Sequence, residues 1–152
     1  KIIKPIKMRR ILTTICVMLL TVAAAFAQAD KILGTYSTTY EGNQSKVKIF
    51  KFGDGYRAQV IWVDKLKDAD GKVRTDKKNP DKSKRNTPAD KIVLIDKVTY
   101  NAEKNCWDGG QVYDPTKGKS FNVQCTFDDA KTLRVKGSWG PFNKSVYWKK
   151  ID

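Results

Sequence analysis

From residue 33 onward the apolar positions come in short runs that alternate with polar ones, the period of two expected of half-buried strands rather than the 3.6 of helices. Residues 33–39, opening with Gly34-Thr35-Tyr36, read as a first strand. Residues 45–52 read as a second, in which the apolar parity shifts between Ile49 and Phe50 as at a bulge. Gly53-Asp54-Gly55 turns the chain into residues 56–63, where Tyr56, Ala58, Val60 and Trp62 share one face and Arg57 and Gln59 the other. The rhythm resumes at residues 92–100. It continues through a hairpin over 106–121, turning at Asp114-Pro115-Thr116-Lys117, and through strands at 132–139 and 145–149. Eight short strands with no helical pattern long enough to cover a sheet predict an all-β, antiparallel, eight-stranded up-and-down barrel without free edges; a two-sheet sandwich is the alternative. Trp62, Trp107, Trp139 and Trp148 fall on faces expected to point inward, where eight strands leave room for side chains or one small ligand.

Two segments break the pattern. Residues 64–90 hold nine basic and six acidic residues and almost no apolar ones, a long polar loop not expected to contribute to a core. Before residue 28 the order is that of a targeting segment: Met8 as start, Arg9 and Arg10, an apolar stretch over 11–26, then Ala25-Phe26-Ala27 as a cleavage site that would leave Gln28 first. A retained membrane span needs about 20 apolar residues, and this stretch is shorter and interrupted by Thr13, Thr14 and Thr21. Thr13-Thr14-Ile15 before Cys16 makes a poor lipidation signal, and residues 1–7 read as an upstream extension. The expected organisation is thus a cleaved segment over 1–27 and one domain over 28–152, long enough for a sizeable core and too short for two.

That division changes the charge and the cysteine count. The whole chain carries +14; loss of five of its 30 basic residues and none of its 16 acidic ones leaves +9, still basic. Cys16 goes with the leader, and Cys106 and Cys125 remain as a pair suited to an oxidising compartment. If Tyr113 pairs with Gly118, the register sets Cys106 opposite Cys125. A bridge there would stabilise by roughly 3 kcal/mol in the chain-entropy model; a one-residue slip would put the two on opposite faces and leave buried thiols.

The ordered motifs Gly34-Thr35-Tyr36, Asn79-Pro80-Asp81 with Arg85 and Pro88, Trp107-Asp108-Gly109-Gly110, Tyr113-Asp114-Pro115, Gly118-Lys119, Leu133 with Gly137 and Gly140, and Trp148-Lys149 resemble the bacterial family called domain of unknown function 2147. The resemblance implies a lipocalin-like, calycin-type barrel exported to the periplasm or beyond in Gram-negative bacteria. It also implies an aromatic residue of the first strand packed against a basic residue of the last, with Tyr36 in place of the usual tryptophan and Lys149 in place of the usual arginine. The end of the loop, Ala89-Asp90-Lys91, departs from the family's more apolar stretch.

The chain contains no histidine, which removes serine–histidine and cysteine–histidine nucleophiles, histidine bases and histidine metal sites. Asp68-x-Asp70-Gly71 fails as a calcium loop, because alignment on Gly71 sets Leu66 and Lys77 where carboxylates are required. Asp76, Asp81 and Asp114 are the carboxylates from which an acid–base pair could be drawn, but Asp114-Pro115 and Asn79-Pro80-Asp81 are better explained as turn starters. No catalytic residue, metal or cofactor is therefore expected. Arg85 has two readings, a clamp folding the loop or a holder for an anionic head group. The leading expectation is a monomeric carrier of a small apolar or amphipathic molecule, with Trp62, Asn79, Asp81, Arg85, Trp107, Tyr113 and Trp139 as candidate ligand contacts. The alternative is a cell-envelope accessory protein whose lysines meet acidic polymers or lipid head groups. Aromatic residues do not interleave with the cluster Lys77, Lys78, Lys82, Lys84 and Arg85, so nucleic acid is not an expected partner.

Overall fold

The computed structural model describes residues 5–152; residues 1–4, part of the expected upstream extension, lie outside it. Two compact units divide the chain at Ile32 and Leu33. The first holds helix α1 (Pro5–Ala29) and a 3₁₀ turn (Asp30–Ile32). Within it Arg10–Ile32 is long and apolar enough to cross a membrane, longer than the sequence reading allowed. Threonines do not interrupt it, because Thr14 and Thr21 turn their hydroxyls onto the carbonyls of Arg10 and Met18 in their own helix. Such a helix near the N-terminus is compatible with a signal sequence.

The second unit is a closed antiparallel barrel of eight strands in chain order, which rules out the sandwich. The strands are β1 (Gly34–Tyr40), β2 (Asn43–Phe52), β3 (Gly55–Val63), β4 (Val93–Asn101), β5 (Cys106–Asp114), β6 (Lys119–Asp129), β7 (Thr132–Trp139) and β8 (Phe142–Lys150). Alternation builds the core: Tyr36 on β1, Val47 and Ile49 on β2, Ala58 and Val60 on β3 and Leu133 and Val135 on β7 are all buried.

Core packing is concentrated at one end. There Trp107 is closed on both sides by aromatic rings, Tyr100 at 5.1 Å and Phe127 edge-on at 5.6 Å between centroids. Tyr36 lies 6.3 Å from Trp148. The basic residue over Tyr36 is Lys150, at 6.0 Å, and not Lys149 as the resemblance implied. Lys150 is the residue that β1–β8 pairing sets opposite Tyr36, whereas Lys149 donates to the Thr132 hydroxyl.

Three expectations of register fail. The bulge on β2 and β3 lies between Lys46 and Val47, not at Ile49 and Phe50, because Ile61 is the extra residue on β3. Its consequence is that Trp62 leaves the inward face: it pairs with Lys46 and is 42% exposed. On the β5–β6 hairpin the turn closes at Asp114↔Lys119 rather than Tyr113↔Gly118. A further shift between Trp107 and Gly110, where β5 bends with Gly110 against the Lys97 carbonyl, leaves Cys125 opposite Trp107. Cys106 instead contacts Gln124 and Asp108. Both cysteines are fully buried free thiols, so the expected bridge is replaced by the buried-thiol alternative, and burial pushes the Cys125 thiol up to about 12.

Candidate functional site

Trp107, Tyr100, Phe127 and Tyr36 pack at one end, and the other half of the barrel is hollow. A cavity of about 400 Å³ opens there, within the size range of small-molecule sites. Its walls are mainly apolar, with Val60, Val63, Val112, Phe121, Val135 and Val146 among them, and Trp148 is the aromatic residue it shares with the packed end. Polar groups gather at its rim: Tyr40, Asp64, Arg74, Asp114, Lys117 and Lys144.

The segment between β3 and β4 is ordered by its own polar side chains. Asp68 accepts from the backbone of Asp70 and Lys72, making the solvated turn expected in place of a calcium loop. Bridges pair Lys67 with Val73 and Thr75 with Pro88. Asn79 accepts from the Asp81 amide, Asp81 caps a short 3₁₀ turn through Ser83, and Arg85 Nε donates to the Asn79 carbonyl at 2.8 Å. Arg85 thus clamps the loop, through a carbonyl rather than a carboxylate.

The loop is also fastened to the barrel, contrary to the expectation that it adds nothing to a core. Asp76 is only 3% exposed. Its carboxylate accepts from the Tyr113 hydroxyl at 2.7 Å and from Asn79 Nδ2 at 2.8 Å, which answers the cost of burying a charge. Lys78 Nζ donates to the Thr116 carbonyl. Gly118, at φ +64°, lets the β5–β6 turn come so close to the Lys78 carbonyl that a Cβ would stand 2.2 Å from that oxygen. Held this way, the loop brings Arg74, Thr75, Ala89 and Ile92 to the cavity wall.

Asp114 organises the rim. One of its oxygens accepts from the Thr116 amide and hydroxyl, the turn role expected from sequence, and the other accepts from the Tyr40 hydroxyl at 2.9 Å. Burial pushes the Asp114 carboxyl up, but the bonds from Thr116 and Tyr40 outweigh it and hold the group below its ordinary value. Burial, then the bond to Asp114, pushes the Tyr40 phenol up to about 12. Burial and Asp76 raise Tyr113 in the same way. Both phenols bind their protons more tightly folded than unfolded, so their contribution is complete below the unfolded value near 10 and is lost as pH climbs through the folded one. Denaturant titrations should show stability falling between about pH 10 and 12, with a shallower fall for Tyr40→Phe than for wild type. Identical slopes would refute the linkage.

The candidate contacts separate accordingly. Tyr113 and Trp139 line the cavity, Trp139 at the rim with 71% of its surface exposed. Trp107 lies in the packed end and Trp62 on the outer surface, and neither lines this cavity. Asn79, Asp81 and Arg85 hold the loop and are not among the lining residues. Asp76, Asp81 and Asp114 are each engaged by different donors and form no acid–base pair. Among the described residues no three metal-ligating side chains of the His, Cys, Asp or Glu type cluster. Sequence reasoning missed Tyr40, Thr38 and Arg74 as lining residues. Inward parity on β1 after Tyr36 signalled the first two; nothing local signals Arg74, whose place depends on the fold of the loop.

Residues 34–150 match the family model described as an uncharacterized protein conserved in bacteria (DUF2147). Among solved structures the chain resembles protein HP1028 from the human pathogen Helicobacter pylori, described as belonging to the lipocalin family. The two are 27% identical over 80% of this chain and 83% of that one, with a TM-score of 0.64. No curated protein matches the chain.

Proposed function

The chain belongs to the bacterial family DUF2147, and on that footing we propose that it is an exported carrier which holds a small apolar or amphipathic molecule inside its lipocalin-like barrel. The observation that carries this reading is the cavity of about 400 Å³, mainly apolar in its walls, left open beneath a pinned polar loop. An apolar ligand entering it exchanges water for those walls, at about 25 cal/mol for each Å² of apolar surface buried. The rim hydroxyls and charges then orient any polar end.

Native mass spectrometry and a fluorescent-probe titration test the reading. Wild type is expected to bind. Leu94→Trp, which projects a large side chain into the cavity, is expected to weaken binding at least tenfold while circular dichroism stays unchanged. A wild type that binds no apolar probe and carries no co-purified molecule overturns it.

Export is part of the proposal. The leader over residues 1–27 is removed after Ala27 and the barrel acts in the periplasm or outside the cell as a monomer. Protein recovered from the envelope fraction should begin at Gln28 by intact mass; a product retaining α1 contradicts this. The competing reading, action through the basic surface, is favoured by the net charge of +9 that stays once residues 1–27 are removed. It predicts retention on envelope fractions that fades between low and high salt and that Leu94→Trp, which fills the cavity, leaves unchanged.

A further inference from the structure

The barrel is not sealed equally on all sides. β1 pairs with β2 at seven registered positions and β8 with β7 at eight, but β1 and β8 are paired only at Tyr36↔Lys150 and Ser37↔Lys149, beside the bond from the Ile151 amide to Thr35. From Thr38 toward the loop-covered end the ladder stops. There the Thr38 hydroxyl reaches the Tyr147 carbonyl at 3.4 Å, and Lys144 of β8 lies over the Tyr40 ring of β1. Outside lies a second depression, with Lys46, Trp62, Tyr147 and Lys149 on its walls. Thr38, Tyr40 and Val146 line both this slot and the inner cavity, so the two flank the same stretch of the seam.

Charge differs between the slot and the upper rim. At the rim Asp64 and Asp114 face the opening, Arg74 is bonded to the Lys65 carbonyl, Lys117 stands 3.8 Å from Asp114, and Lys144 lines both rim and slot. In the slot Glu41 is the one acid against Lys46, Lys144 and Lys149. Lys149 is occupied by Thr132. Lys46 and Lys144 lie over the rings of Trp62 and Tyr40, at 5.3 and 4.8 Å, and neither is within ion-pair distance of a carboxylate among the described residues. Two ammonium groups without counter-ions, beside the weakly laddered wall of an apolar chamber, match a molecule with one anionic end and one apolar end.

We propose that the bound molecule is an anionic amphiphile lying through the β1–β8 seam, with its carboxylate or phosphate head in the outer slot at Lys46 and Lys144 and its hydrocarbon body in the barrel. This rests on the carrier reading of the inner cavity and adds the ligand's charge and the side from which it is held. Trp62 then belongs to the head-group end as an outer wall of the slot, although it does not line the barrel.

The test compares dodecanoate, dodecyl phosphate and the neutral dodecanol on the full chain by calorimetry at low ionic strength. At least one anion should bind about tenfold more tightly than the alcohol, and the tighter one identifies the head group. Lys46→Gln/Lys144→Gln should abolish that preference and leave dodecanol affinity unchanged. Lys48→Gln/Lys119→Gln, with the same change in net charge at other exposed positions, should retain it. Equal affinities in wild type, a preference that survives Lys46→Gln/Lys144→Gln, or one lost only in Arg74→Gln/Lys117→Gln would overturn the seam assignment while the cavity reading stands. Failure of all three probes to bind would overturn the carrier reading itself.

Discussion

Trp107→Ala is expected to lower the unfolding free energy by about 3–5 kcal/mol, the range for removing a large buried ring. Trp107 is 1% exposed and sits between Tyr100 and Phe127, with Cys125 as its strand partner. Its loss leaves a void that three strands cannot close without breaking their ladders. Urea denaturation should register the loss as a lower midpoint, with cooperativity retained if the barrel still folds. Because Trp107 does not line the ligand cavity, the folded fraction should bind an apolar probe with unchanged affinity. A loss below about 1 kcal/mol would show that the packed end is not where the stability resides.

Gly118→Ala is expected to be strongly damaging for a change of one methyl group. Two costs coincide: a side chain in the left-handed region, about 1–2 kcal/mol, and overlap with the Lys78 carbonyl 2.2 Å from the new Cβ, where overpacking costs about 1–3 kcal/mol. The second cost is relieved most cheaply by movement of the loop away from the turn, which breaks the bond from Lys78 Nζ to Thr116 and strains that between Tyr113 and Asp76. Trypsin should therefore cut the variant at Lys77 or Lys78 faster than wild type, and a bound probe should leave faster. Unchanged cleavage would mean that the loop is not held through this contact.

How much of this was legible depended on whether a feature was local. All eight strands follow from alternation and turn chemistry, and Thr132–Trp139 falls on the bounds read from sequence because alternation there is uninterrupted. The turn roles of Asp68, Asn79, Asp81 and Asp114 were legible for the same reason: a short polar side chain bonds backbone within a few residues. Trp62 was misplaced because one inserted residue, Ile61, reverses every following side chain, and the partner strand sets that insertion. Cys106 and Cys125 failed in the same way, through a turn closed one pair later and a shift beyond it. Asp76 carries no local sign of its role, because its burial within the loop depends on Tyr113, 37 residues away.

By itself the sequence determined an apolar leader-like helix, eight alternating strands and a polar insertion, since these depend on periodicity and on residues close along the chain. Tertiary structure decided which aromatic rings fill the barrel and which leave it hollow, where the loop is pinned, and that β1 and β8 part above Ser37. Those outcomes depend on register and contact between segments distant along the chain. One extra residue reverses a face there, and no local pattern records the choice.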